Sequence, residues 1–194
     1  WLFADVEQFA LYDFESSDGG VDEDVYAYSN RVGDARGLVV VHNKWKETRG
    51  SIMTAAAAVT AGGVERKPIH HALGLRPDAG IFTRFRDVIS GLEFLRPNDR
   101  IAREGFHFTL QAFEYHAFVD FREVTSTREE PYAELAKALG DAGTRNLDEA
   151  LVNVRYRGLH EALYEATNSG SAAWLFSGSD ASVRLDGLIE KVAN

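Results

Sequence analysis

From Val25 to Asn30, Val25, Ala27 and Ser29 alternate with Tyr26, Tyr28 and Asn30, the period-two pattern of a strand with one face turned to a core. Gly33-Asp34-Ala35-Arg36-Gly37 then turns the chain into the β-branched run Leu38 to Val41, so the spacing predicts a hairpin. Arg49 to Ala55 reads as a third strand, followed by the alanines 55 to 58 and a break at Gly62-Gly63. Further on, Phe82, Arg84 and Arg86 alternate with Thr83, Phe85 and Asp87, and Leu92 to Leu95 is another strand candidate that ends at Pro97-Asn98-Asp99. Between these, Ile69 to Leu75 fits either a helical turn or a strand, with Pro68 and Pro77 limiting its length.

Residues 106–124 carry a more telling pattern. Large apolar side chains fall on even positions at Phe106, Phe108 and Leu110, and on odd positions at Phe113, Tyr115, Val119 and Phe121. A change of parity requires a bulge, kink or turn, here near Gln111-Ala112. After Glu130 the period changes to that of a helix. Pro131 suits a first turn, Tyr132, Leu135, Ala136 and Leu139 form a stripe, and Gly140 closes it. Asn146 to Glu149 is a capping box for a second helix with Ala150, Leu151 and Val154 inward, and Leu159, Ala162, Leu163 and Ala166 extend the pattern. Asp180 starts a last helix bearing Leu185, Leu188, Ile189 and Val192, while Trp174 reads as core. At the other end, Leu2, Val6, Phe9 and Phe14 suggest a short amphipathic helix, broken by Ser16 to Gly20. The predicted architecture is α+β: a junction helix in 1–20, an antiparallel β-sandwich over 21–128, and a helical C-terminal segment, 129–194, packed on it.

The order Tyr26-Ala27-Tyr28, a turn, Leu38 to Val41 and then Asn43 resembles the early strands of the C-terminal β-sandwich in α-amylase-family (family 13 type) glycoside hydrolases. Leu110 to Tyr115 resembles the corner that leads into the last strand of that sandwich, without its usual prolines. The resemblance implies an upstream catalytic (β/α)₈ barrel in the same polypeptide, acting on α-glucans, with the present chain stabilising it. The chain contains neither eight βα units nor the carboxylate motifs of that barrel, so it is read as the non-catalytic portion. The alternative is a free-standing carbohydrate-binding or protein-interaction module. A third reading, a small enzyme using its histidines and acids, requires those groups to converge in one pocket.

Composition narrows the partners. Residues 1–30 hold eight acids and no Lys or Arg, so this segment supplies nearly all of the net charge of −9. That map argues against nucleic acid, which requires a basic stripe. No run approaches the ~18 apolar residues of a membrane span, and the chain is read as soluble, the cytoplasm slightly favoured. The absence of Cys excludes disulfides, thiolate metal sites and cysteine nucleophiles. With Trp at position 1 and Met only at 53, the chain is read as an excised piece of a longer protein.

Few residues suggest chemistry. Trp45, Tyr26 and Tyr28 are the candidates for glycan contact, since flat aromatic faces stack on sugar rings. Asp18, Asp22 and Asp24, with Glu23, are candidate oxygen ligands for a structural Ca²⁺, which amylase-type enzymes often bind, although their spacing departs from the usual loop. Asp120 and Glu123, with Arg122 between them, read as a solvated strand edge rather than an acid/base pair. His70, His71, His107 and His116 lack the spacing that places two imidazoles on one metal. No phosphate-binding or dinucleotide motif appears, and no cofactor is expected beyond that calcium.

Overall fold

A computed structural model describes residues 1–167, apart from Asp5 and Glu7, and residue 170. The predicted helix from Asp180 and the core assignment of Trp174 lie outside the described residues.

Among the described residues eleven strands and five helices follow in order: β1 (Ala10–Tyr12), β2 (Glu15–Ser16), β3 (Val25–Val32), β4 (Ala35–His42), β5 (Thr48–Ile52), β6 (Thr54–Thr60), β7 (Gly63–Pro68), α1 (Ile69–Ala72), β8 (Ile81–Asp87), β9 (Glu93–Pro97), α2 (Asn98–Glu104), β10 (Phe106–Leu110), β11 (Tyr115–Thr125), α3 (Tyr132–Leu139), α4 (Leu147–Arg155) and α5 (Arg157–Thr167). They form an eight-stranded sheet in the order β7-β6-β1-β3-β4-β11-β8-β9 and a three-stranded sheet, β10-β5-β2, with every pairing antiparallel. The expected class, an antiparallel sandwich with helices mostly towards the C-terminus, is the class observed.

The hairpin β3–β4 pairs Val25 with His42 through to Val32 with Ala35, as its alternation demands. Val25, Ala27, Leu38 and Val40 enter the core between the sheets, where Phe14, Ile52, Ile69, Leu73 and Ile101 meet them. A second core lies on the opposite face of the large sheet. There Phe82 and Leu95 receive Tyr132, Leu135, Leu147 and Leu151 of α3 and α4. Asn146 caps α4 as expected, its side chain accepting from the Glu149 amide, and the Leu147 amide donates to Glu93 of the edge strand β9.

Two expectations are corrected. The predicted junction helix is absent from the described part of residues 1–20, and β1 and β2 stand there instead. Ala10, Tyr12 and Phe14 alternate inward, β1 is paired on both sides by β3 and β6, and the Tyr12 hydroxyl meets Ser29 Oγ at 2.6 Å; two ladders outweigh a marginal helical stripe. The single strand read across 49–55 is two strands that change sheet at Met53. The strand predicted to end at Pro97-Asn98-Asp99 does end at Pro97, and the chain continues from Asn98 as α2, a helix the sequence pattern does not predict.

The parity change after Leu110 is a turn, and it carries the chain from the small sheet (β10) to the large one (β11). A second change lies inside β11. Phe118 and Phe121 are both buried although three residues apart, because a bulge between Val119 and Arg122, with Asp120 at φ 59°, resets the register. At the end of α2, Gly105 (φ 68°) runs so close to the Ile52 carbonyl that a Cβ would collide with it, which lets β10 pair along β5.

Candidate functional site

Where the edge of the small sheet lies over β8, β9 and β11, the sandwich opens into a cleft of about 240 Å³. Its floor is aromatic. Phe85 is the hub, stacked with Phe94 at 5.5 Å between centroids and meeting Phe106 and Phe118 edge-on at 5.6 and 5.5 Å, while Phe108 lies beside Phe118 at 5.9 Å. These rings converge because β8, β9, β10 and β11 each direct alternate residues towards the space between the sheets.

One wall of the cleft is an arginine-carboxylate network. Arg100 of α2 holds Asp141 with two hydrogen bonds of 2.9 Å, and Arg96 donates to the carbonyls of Gly140 and Asp141 while lying over the Phe94 ring. The other wall carries His116 and Glu114. His116 Nδ1 lies 3.0 Å from Asp87 Oδ2, and Nε2 lies 3.4 Å from Glu114 Oε1. The imidazole is flanked by Phe118 at 5.5 Å and Phe108 at 6.4 Å.

Asp87 itself is 0% exposed. Burial pushes its carboxyl up, but hydrogen bonds from Ser90, His116 and the amides of Ala117 and Ile89 outweigh that effect and hold it at about 2. The ionised Asp87 accepts from Nδ1 of His116, so of the two neutral tautomers of the ring it selects the one whose Nε2 is an acceptor. Chemically, the cleft combines an apolar floor, donors from arginine and a fixed pair of acceptors.

Not all of this cleft was anticipated. His116 and His107 were singled out and both line it, whereas Asp87, Glu114, Arg96, Arg100 and Asp141 were not. The Asp87-Val88-Ile89-Ser90 turn at the end of β8 was the one local signal of a carboxylate bound to its own backbone. His70 and His71 lie elsewhere, in α1, with ring centroids 4.2 Å apart. Asp120 and Glu123 are held by separate arginines, Arg86 at 2.8 Å and Arg76 at 3.1 Å, so each has a partner of its own.

The glycan-contact candidates divide. Trp45 is 82% exposed and lies 5.8 Å from Phe113, itself 51% exposed. Phe113 has φ 56°, rare for a bulky side chain, and its amide donates to the Lys44 carbonyl. Tyr26 stands on the outer face of β3, 52% exposed, while Tyr28 is covered by Phe3 and Phe9 at 5.6 and 5.9 Å. These residues do not form one platform.

Two of the calcium candidates are engaged by lysine. Asp22 and Asp24 both reach Lys46 Nζ, at 3.1 and 3.8 Å, and Asp22 also accepts from Thr48, so an ammonium lies between the two carboxylates. Burial raises the Asp22 carboxyl, but Thr48 and Lys46 together hold it below its ordinary value. Among the described residues no group of three or more His, Asp or Glu side chains is arranged to hold a metal, and no helix is long and apolar enough to cross a membrane.

No protein-family model matches this chain, and no curated protein matches it significantly.

Proposed function

We propose that the chain is a non-catalytic β-sandwich module of an α-amylase-type glycoside hydrolase acting on α-glucans, seated on the catalytic barrel of the same polypeptide through the outer face of its large sheet. The observation that carries this reading is one row across three strands. Tyr26 pairs with Val41, and Val41 with Tyr115, and both tyrosines are 52% exposed. The neighbouring row runs Ala57, Leu11, Tyr28, Val39 and Ala117, where Phe3 and Phe9 of the same chain already cover Tyr28 and Leu11 remains 44% exposed. A sheet face that meets water ordinarily alternates to polar side chains, and a contiguous apolar face marks a surface that another protein surface covers. The resemblance of residues 24–50 to an amylase-type sandwich supports the same reading.

Hydroxyl-radical labelling of Tyr26 and Tyr115 tests it, comparing this chain alone with the polypeptide that includes the coding sequence immediately upstream of Trp1. Protection of both tyrosines in the longer protein, together with barrel carboxylate motifs in the upstream sequence, is the expected result. Equal labelling, or an unrelated upstream sequence, overturns the reading.

The exposed Trp45 and Phe113 favour a second reading, a carbohydrate-binding module. Binding of maltooligosaccharide that falls about tenfold in Trp45→Ala supports it, the loss of one aromatic contact being worth about 1.4 kcal/mol. An unmodified chain that binds no maltooligosaccharide removes it.

A further inference from the structure

We propose that the cleft between the two sheets binds an uncharged, ring-sized molecule that carries hydroxyl donors, a phenol or a monosaccharide, with its apolar face on the phenylalanine floor and one hydroxyl donating to His116 Nε2 and Glu114.

Three observations carry this. The first is size: about 240 Å³ exceeds the roughly 150 Å³ of apolar cavity that accepts benzene, which leaves room for one ring and its substituents. The second is charge. Arg96 and Arg100 face Glu114 across the rim and are both already held by Asp141, Arg100 by Glu104 as well, so an anionic ligand would lose hydration without gaining a free counter-charge and a cationic one would meet the two guanidinium groups.

The third is the pair of acceptors. Asp87 is fully buried and accepts from Nδ1 of His116, and in the tautomer this selects, Nε2 faces Glu114 Oε1 at 3.4 Å as a second acceptor. Glu114 Oε2 is already used, accepting from the Gln111 amide. A hydroxyl placed between Nε2 and Oε1 supplies the missing donor, and the opposite arginines can donate to other oxygens of a polyol. Asp87 here is a positioning residue: it fixes which nitrogen of His116 is left for the ligand.

Titration of the ¹⁵N-labelled chain at pH 8 with phenol, D-glucose, benzoate and benzylamine tests the proposal. Saturable shifts at His116, Phe108 and Phe118 with phenol or with glucose are expected, and which of the two binds tells an aromatic from a saturated ring. Benzoate and benzylamine should bind at least about tenfold more weakly. The His116 ring should show a protonated Nδ1 and an unprotonated Nε2. Asp87→Asn can donate to Nδ1 and so inverts the tautomer; its Nε2 proton then satisfies Glu114, and affinity for the hydroxylated ring should fall at least tenfold with the ¹⁵N pattern reversed. Glu114→Gln, at a half-buried position, is a milder change that should weaken binding several-fold with the fold intact. A doubly protonated His116 at pH 8, no saturable shift with either neutral probe, equal binding of the charged probes, or undiminished affinity in both variants would overturn the proposal.

Discussion

The two faces of the large sheet are built from similar residues to different ends. On the inner face at the cleft, Phe85, Phe94 and Phe118 are packed ring against ring and the polar groups among them are paired in advance, Asp87 with five hydrogen bonds from its own turn, His116 and Ala117. On the outer face, Tyr26 and Tyr115 stand on either side of Val41, half in solvent. Aromatic residues locked by neighbours and by a buried carboxylate make a preorganised site for something small. The same residue class left open on a flat ladder makes a surface that only another surface can cover.

The sharpest way to break this contrast is to remove the hub of the inner face. Phe85→Ala takes a ring from contact with Phe94, Phe106, Phe118 and Phe121 and should cost about 3–5 kcal/mol, read as a lower urea midpoint with an unchanged slope. A loss below about 1 kcal/mol would mean that the rings close over the gap and that the cleft is not rigid.

Asp87→Asn comes next, because it keeps the shape but leaves the Ser90 amide or hydroxyl without its acceptor, a cost of about 1–3 kcal/mol. Its pH dependence is the more specific readout. In the folded chain the Asp87 carboxyl sits at about 2, below its ordinary 3.8, so between these values the unfolded chain takes up a proton that the folded chain refuses. Stability is therefore fully present above about pH 4 and declines as pH falls towards 2, by about 2 kcal/mol in all. In the Asn variant this acid limb should flatten. A second, earlier limb belongs to His70, which burial and then His71 hold below its ordinary 6.5. Protonation of the unfolded chain weakens the fold as pH drops below that value, and His70→Leu should remove that limb while leaving the Asp87 limb in place. Urea midpoints from pH 7 to 2 separate the two; a single limb unaffected by either change would contradict both assignments.

The unequal legibility of the sequence follows the same division. The hairpin β3–β4 could be read because its alternation is local and both of its faces are populated distinctly, Val25, Ala27 and Leu38 inward against Tyr26 and Tyr28 outward. The turn after Leu110 was announced by its change of parity, whereas the bulge at Asp120 was not, because Asp there looks like any polar position and only the pairing of Val119 and Arg122 with β8 exposes the extra residue. The N-terminal stripe was read at the wrong period, since Leu2, Val6 and Phe9 fit a helix while Ala10, Tyr12 and Phe14 fit the strand that two neighbours stabilise. Helix α2 has Ile101 as its one buried apolar side chain, too little for a periodic signal. The cleft was the least legible feature: Asp87 and His116 are far apart in the chain and meet only through the register of β8 on β11.

The smallest effect is expected on the outer face, and it is the most discriminating for what that face is for. Tyr26→Ser and Tyr115→Ser each remove a ring that is already half in water and belongs to neither core. Such a substitution should change the stability of this chain by no more than about 0.5 kcal/mol, measured by the urea midpoint. A face held together for the fold's own sake would lose far more, as Phe85→Ala should. If the double variant is nearly neutral here yet releases the module from the proposed barrel in a longer polypeptide, seen as proteolytic separation of the two parts, the tyrosines serve an interface rather than the sandwich. If the double variant destabilises the isolated chain by about 2 kcal/mol or more, the stabilisation that one fully buried side chain contributes, the outer row is core in its own right and the contrast between the faces fails.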